Sequence, residues 1–318
     1  MNYAVLFPGQ GSQFVGMGAD LFEARPDLLG DHVDELLGWS LRELCLDGPE
    51  ELLVRTERAQ PALFCLSYAL WVELSDRLGS LPIAAAGHSL GEYTALAAAG
   101  VFGFEETLSV VSARGRAMAE AADAEDSGMM ALMGVDDDLA EEVADIRRRE
   151  GGRLVVANLN APGQVVMAGG VADLDWIEAR GRSLGIRRMV RLPVAGAFHS
   201  GFMTPAAPKV EEALVGLTPH PARFPVYANV SGEPMDTARV AETLVTQVSS
   251  PVRFAAGLSA MARRGVEVFV HVGPGKVTAG LARRTVPSAT VLTVNDLVGA
   301  AEVAESISSM EFSRGDLP

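Results

Sequence analysis

The stretch "IAAAGHSLGEYTALAAAG", residues 83–100, constrains the fold more than any other. A short run of small apolar residues enters a Gly-His-Ser-Leu-Gly turn, and a helix-forming run leaves it. Glycine costs stability inside a helix or a strand, so Gly87 and Gly91 on either side of Ser89 need a reason. A sharp strand-to-helix turn supplies one. Only small residues fit around such a turn, and the hydroxyl between them projects outward above the next helix. Backbone N–H groups at that helix start can stabilise an anion. The five-residue pattern alone is read equally well as a structural turn or as a presented nucleophile.

The flanking sequence repeats the strand-then-helix rhythm. "YAVLFPGQGSQ" reads as a buried strand ending in a Gly-rich loop, and residues 13–80 are mostly helical. "FEETLSVVSARGRAMAEAA" is a long helix. After residue 193 come a helix near 203–216, the strand "PVYANV", another helix, the strand "VEVFVHVGPG", a helix and "TVLTVN". Such alternation predicts an α/β fold with a parallel sheet. Between these parts the rhythm changes to strand, helix, strand, strand, helix, strand over about 65 residues, the ferredoxin-like pattern. The expected layout is therefore a large α/β domain from residues 1–122 and 194–318, with a ferredoxin-like subdomain at 123–193 inserted in it. The last ten residues read as a loose tail.

Composition narrows the function classes. The chain has 318 residues, 48% of them hydrophobic, and a net charge of −15, which disfavours nucleic acid and anionic membranes as partners. No window of about 20 apolar residues predicts a membrane span, and no secretory signal is visible at the start. Two cysteines, Cys45 and Cys65, give neither a metal-ligand spacing nor a disulfide framework. These features suit a cytoplasmic protein. The 24 arginines against 2 lysines read as coding bias.

A serine nucleophile needs a base, and there are five histidines. His88 adjoins Ser89 and points away from it, as a packing or hydrogen-bonding residue. His32 lies on an amphipathic surface helix, His220 in a loop between prolines, and His271 in a strand. His199, in "VAGAFHSGFM", lies where the inserted segment returns to the main sheet, a natural place for a cleft; it leads His271 as the base. One arginine is also out of pattern. Thr107, Val111, Arg114 and Met118 share one helix stripe, while Arg116 faces the other way. An unpaired charge on the apolar side is costly. Arg114 is therefore either in a structural salt bridge or held ready for a substrate carboxylate, which a guanidinium grips through two parallel hydrogen bonds.

With these pieces assembled, the chain resembles the malonyl-CoA:acyl carrier protein transacylases, including freestanding acyltransferases of polyketide synthesis. The likeness rests on "FPGQGSQFVGMG", "TERAQPALF", "GHSLGEYTALAAAG", "VSARGRAM", "ANLNAPGQVVMAG", "GAFHSGFM", "YANVSGEP", "SSPVRF" and "GPGKVTAGL", in this order along nearly the whole chain. The resemblance implies an α/β-hydrolase-like core and a malonyl-serine intermediate on Ser89, with His199 as general base. It implies a backbone carbonyl at or near Gln247 that orients His199. It places the oxyanion hole at the N–H groups of Gln10 and Leu90. Arg114 would bind the malonyl carboxylate, with Phe198, Asn160 and His88 completing the substrate pocket; a bulky Phe198 would crowd an α-methyl group. Malonyl-CoA is the implied substrate and a phosphopantetheinylated acyl carrier protein the implied partner. No metal or permanently bound cofactor is implied, and the expected state is a monomer. Carrier proteins are acidic, so docking calls for a local basic patch; Arg180, Arg182, Arg187, Arg188, Arg191, Lys276, Arg283 and Arg284 are candidates.

Other readings compete. An α/β-hydrolase-type esterase expects serine, acid and then a late histidine, and gives "PGQGSQ" no role. A proofreading thioester hydrolase of the same fold is expected to lack the carboxylate-binding arginine. A trans-acting polyketide acyltransferase with another extender unit and a non-catalytic docking subunit complete the set.

Overall fold

The computed structural model describes residues 1–315, with side chains through Met310. Its centre is a five-stranded sheet in the order β7-β2-β1-β8-β9. The strands are β1 (Tyr3–Phe7), β2 (Ala84–Gly87), β7 (Val226–Tyr227), β8 (Val268–Val272) and β9 (Thr290–Val294). Every pairing in it is parallel. Parallel sheets are covered on both faces, so their strands read as unbroken apolar runs. "YAVLF" and "VFVHV" fit that rule, and every residue of β1 and β8 is buried.

β1 and β2 are neighbours in register, with Phe7 opposite Gly87. Because they run parallel, the loop after β1 and the turn after β2 emerge at the same sheet end, where ligands bind in open α/β folds. The small residues of β2, "AAAG", let the following helix Gly91–Ala98 pack directly on the sheet. Its first residue sits so close that a Cβ at Gly91 would lie 2.3 Å from the Phe7 carbonyl oxygen. The helices Thr56–Ser75 and Phe104–Ala124 pack together beside this sheet.

A second, antiparallel sheet has the order β4-β5-β3-β6. It comprises β3 (Ser127–Met133), β4 (Val155–Ala161), β5 (Gln164–Gly170) and β6 (Arg188–Arg191). Side chains alternate across it with the period of two that a strand imposes. Met130, Leu132, Val165 and Met167 pack with residues of the helices Asp137–Arg149 and Val171–Arg180. Met129, Ala131, Val166 and Ala168 instead join the main core. Backbone bonds also tie this sheet to the rest of the protein: Leu159 N–H donates to Val252 O at 2.9 Å, and Val252 N–H to Ala157 O at 2.9 Å.

Three expectations need correction. The segment near 203–216 is a 3-10 turn, Gly201–Ala206, leading into a helix at Ala207–Leu214; Pro205 and Pro208 lack the N–H that one regular helix would use. "PVYANV" supplies only the two residues of β7. The loose tail is instead the end of a helix, Leu297–Gly315, whose inner residues Val303, Ala304 and Ile307 are buried in the main core; residues 316–318 lie outside the described residues. Among the described residues no helix is long and apolar enough to cross a membrane.

The turn after β2 tolerates no side chain at its first glycine. A Cβ at Gly87 would lie 1.8 Å from the Gly91 carbonyl carbon and 2.3 Å from Glu92 N, both backbone atoms that cannot swing away. Gly87→Ala is therefore expected to destabilise the fold by ~4 kcal/mol or more. Gly79→Ala, exposed and with nothing within 4 Å of the added atom, should change stability by less than ~0.5 kcal/mol. Urea denaturation of both variants checks this; equal midpoints would refute it.

Candidate active site

The turn after β2 holds Ser89 at φ 52° and the segment after β6 holds His199 at φ 58°, the two non-glycine residues described with left-handed backbone. A side chain there is strained, and such strain persists only where the surroundings over-determine it. Around Ser89 they do. Its N–H donates to Asn229 Oδ1 at 2.7 Å, and its carbonyl accepts from Gln247 Nε2 at 2.9 Å. Asn229 Nδ2 also donates to Gly87 O at 2.7 Å, so both sides of the turn are clamped by one amide.

Ser89 Oγ lies 2.7 Å from His199 Nε2, although 110 residues separate them. His199 Nδ1 lies 3.1 Å from the Gln247 carbonyl oxygen. A carbonyl only accepts, so Nδ1 carries the proton and donates it, leaving Nε2 bare to accept from the serine hydroxyl. The ring is neutral for a physical reason. Burial pushes its pKa down to about 3, the nearby Arg114 charge pushes the same way, and the Gln247 carbonyl pulls back. The pairing therefore has the polarity of a nucleophile and its base.

Arg114 is 1% exposed, while Arg116 on the opposite helix face is exposed. Among the described residues Arg114 has no carboxylate within ion-pair distance, which removes the structural salt bridge as its explanation. Its partners are neutral. It donates to Gln60 Oε1 at 2.5 Å, Gln247 Oε1 at 3.0 Å and Ser89 Oγ at 3.0 Å. Its Nε has no partner, and the guanidinium carbon lies 5.3 Å from the Tyr93 ring centre. Burial lowers its pKa. A cation held among neutral dipoles beside Ser89 is able to receive an anion.

These groups open into a cavity of about 490 Å³ lined by Gln10, His88, Ser89, Leu90, Arg114, Asn160, Phe198 and His199, with Gln60 and Met118 among its other walls. No protein acceptor is found for the N–H of Gln10 or Leu90 among the described residues. Gly9 lets the Gln10 loop close on the turn, since a Cβ there would lie 2.3 Å from the His88 carbonyl oxygen. His88 does point away from Ser89: its Nε2 meets Asn160 Oδ1 at 2.7 Å, and burial lowers its pKa. Phe198 is buried at the wall. His271 lies apart, buried, with Nδ1 meeting Thr278 Oγ1 at 2.5 Å and Nε2–H donating to Gly273 O at 3.0 Å.

Sequence reasoning missed four residues and half of a fifth: Gln60, Asn229, Glu92, Tyr93 and the side chain of Gln247. Each is buried. The one signal available was a polar residue inside an apolar helical run, as at Gln60 in "AQPALF" and Glu92 in "GEYTAL". The basic candidates also divide. Arg180 pairs with Glu150 at 2.6 Å, and Arg191 pairs with Asp175 and Glu178. Arg283 and Arg284 hydrogen-bond to Val291 O and Gln164. Arg182, Arg187, Arg188 and Lys276 are exposed.

Residues 5–312 match the family model described as "Acyl transferase domain". The chain is 40% identical over 296 residues to the malonyl CoA-acyl carrier protein transacylase of Bacillus subtilis (strain 168), covering 92% of this chain and 93% of that one. The crystal structure of the malonyl-CoA:acyl carrier protein transacylase from Xanthomonas oryzae pv. oryzae KACC10331 superposes with a TM-score of 0.90 at 36% identity, covering 96% and 98% of the two chains. A malonyl-transacylase solved in complex with a type II polyketide synthase acyl-carrier protein superposes at 0.91 with 33% identity, covering 96% and 100%. A likeness that spans both sheets and nearly the whole chain leaves one assignment: this chain belongs to the acyl transferase domain family.

Proposed function

We propose that the protein moves a malonyl group from CoA to the phosphopantetheine thiol of an acyl carrier protein through a malonyl-serine intermediate. One observation carries this reading: Ser89 Oγ is reached both by His199 Nε2 at 2.7 Å and by the buried Arg114 at 3.0 Å. Nucleophile, base and carboxylate counter-ion thus converge on one atom.

Ser89 Oγ attacks the thioester carbonyl carbon as its proton passes to His199 Nε2. Base assistance of this kind is worth roughly 10²–10⁴ in rate. The carbonyl oxygen becomes an oxyanion that accepts from the N–H groups of Gln10 and Leu90, each donor worth roughly 10²–10³. The carbon–sulfur bond breaks, and the CoA thiolate takes the proton from His199. The carrier thiol then returns along the same path: its proton goes to His199, its sulfur attacks the acyl carbon, and Ser89 recovers its proton. Gln247 O holds the imidazole in one tautomer throughout, in place of an acid. Nucleophile, base, oxyanion donors and counter-ion all come from this chain, so the reaction needs no bound cofactor and no second copy.

Arg114 selects the acyl group. A malonyl carboxylate gains a charged partner, whereas acetyl leaves the guanidinium buried without one. That argues against the proofreading hydrolase. Phe198 narrows the wall against an α-methyl group, which favours malonyl over other extender units. The exposed Arg182, Arg187 and Arg188 of the inserted segment, and Lys276 of the large domain, are the candidates for meeting an acidic carrier. Two buried free cysteines suit a reducing compartment such as the cytoplasm. The strand–serine–helix turn on a parallel sheet supports an α/β-hydrolase-like core over residues 1–122 and 194–318. The chain order and the sheet order β4-β5-β3-β6 support a ferredoxin-like insertion at 123–193.

Incubated with malonyl-CoA, the protein should gain the mass of one malonyl group on Ser89 and pass it to a holo carrier protein. Ser89→Ala should do neither, and a loaded carrier in that variant would overturn the mechanism. Arg114→Ala should cut the preference for malonyl-CoA over acetyl-CoA by ~10–100-fold, the worth of a hydrogen-bonded charge; competition between the two thioesters for one carrier measures it, and an unchanged ratio removes Arg114 from substrate selection.

His199 carries a pH signature. Its folded pKa, about 3, lies below the ordinary 6.5, so the unfolded chain takes up the proton first. Its stabilising contribution is complete above pH ~6.5 and is lost as pH falls toward ~3. The imidazole should therefore stay neutral through pH 5 in an NMR titration of its Cε1–H, where a midpoint near 6.5 would contradict the buried, neutral base.

A further inference from the structure

Glu92 does not line the cavity, yet it bonds to the residues that hold Ser89, His199 and Arg114 in it. It sits in the first turn of the helix Gly91–Ala98, three residues after Ser89, and is 0% exposed. A buried carboxyl is costly unless its oxygens are used. One of them is used twice: Oε2 accepts from Asn229 N–H at 3.0 Å and from Gln247 Nε2 at 2.9 Å. Oε1 has no partner among the described residues.

Those two partners are the residues that fix the reacting groups. Asn229 clamps the turn through Ser89 N and Gly87 O. Gln247 holds three things at once: the Ser89 carbonyl through Nε2, Arg114 through Oε1 and His199 through its own carbonyl. Its amide must keep Nε2 toward Ser89 and Oε1 toward Arg114. Glu92 Oε2 is the second acceptor that sets this orientation, since a flipped amide would put two oxygens face to face.

We propose that Glu92 is a positioning residue, whose buried Oε2 sets Gln247 and Asn229 so that His199 and Arg114 meet Ser89 in reactive geometry. The proposal rests on the acyl-transfer reading above. It asks for an acceptor rather than a charge. Burial drives this carboxyl up to about 7, against the pull of Gln247, Asn229 and Arg114, and Oε2 accepts in either form when the proton sits on Oε1.

The test uses the full chain with native protein and Ser89→Ala as controls, and reads the rates of Ser89 acylation by malonyl-CoA and by acetyl-CoA together with the melting temperature. Glu92→Met removes the acceptor at similar volume. It should slow malonylation by ~10²-fold, the scale of a 1 Å misplacement, and shrink the malonyl-to-acetyl ratio as Arg114 loses its anchor. Glu92→Gln, whose amide oxygen can accept both bonds, should restore most of the rate and the ratio. Should Glu92→Met not fold, Glu92→Asp draws the acceptor back by one methylene and should still lower the ratio. A native rate and ratio in Glu92→Met or Glu92→Asp overturns the proposal, as does a Glu92→Gln protein that melts like native yet is as slow as Glu92→Met. A native protein that takes no malonyl group on Ser89 would instead sink the acyl-transfer reading itself.

Discussion

Everything at the candidate site depends on how closely the backbone passes itself at Gly87 and Gly91. With a Cβ at Gly87 only 1.8 Å from Gly91, any side chain would force the turn open. Its tightness puts Ser89 into left-handed backbone, with the hydroxyl at His199 Nε2. The strain is held by polar groups from distant chain segments, Asn229 and Gln247, which grip Ser89 on its N–H and its carbonyl. Position and strain therefore have the same source, and the serine cannot relax without breaking bonds to both.

The electrostatics follow from burial. Burial keeps His199 neutral, lowers the pKa of Arg114 among its neutral partners, and pushes Glu92 up to about 7. In water these groups would sit near their ordinary values. Inside the protein, desolvation penalises each charge, and the few hydrogen bonds available decide which form survives. Gln247 is the residue where the three meet: its carbonyl orients the histidine, its amide oxygen takes the arginine, and its amide nitrogen rests on the glutamate. Preorganised dipoles of this kind cost little reorganisation when charge develops.

The second sheet contributes by facing two ways. Residues alternating along β3 and β5 fill its own small core on one side and join the main core on the other. Met129, Ala131 and Val166 thereby become cavity wall. Asn160 on β4 reaches His88 on the turn, so the two sheets touch at the site as well as through the backbone bonds at Val252.

Much of this was legible in the sequence. Strand-and-helix alternation gave the parallel sheet, because apolar runs and helical stripes are local patterns. Gly87, Ser89 and Gly91 marked the turn, and the helix stripe through Thr107 and Val111 put Arg114 inside, because steric and periodic rules need only neighbours. What neighbours cannot reveal is which distant polar groups will meet. Asn229 lies 140 residues from Ser89, and nothing in "YANV" announces that it closes on the serine. That Arg114 meets Gln60, Gln247 and Ser89 rather than a carboxylate is likewise a matter of distant contacts. Nor could the sequence say that Arg180 and Arg191 were already engaged by nearby acids, or that the last helix would be anchored by Ile307. The sequence by itself determined the turn, the alternation of strands and helices, and the side chains proposed to react. Only the tertiary structure decided their protonation and alignment, since both depend on burial and on hydrogen bonds that form when the chain has closed on itself.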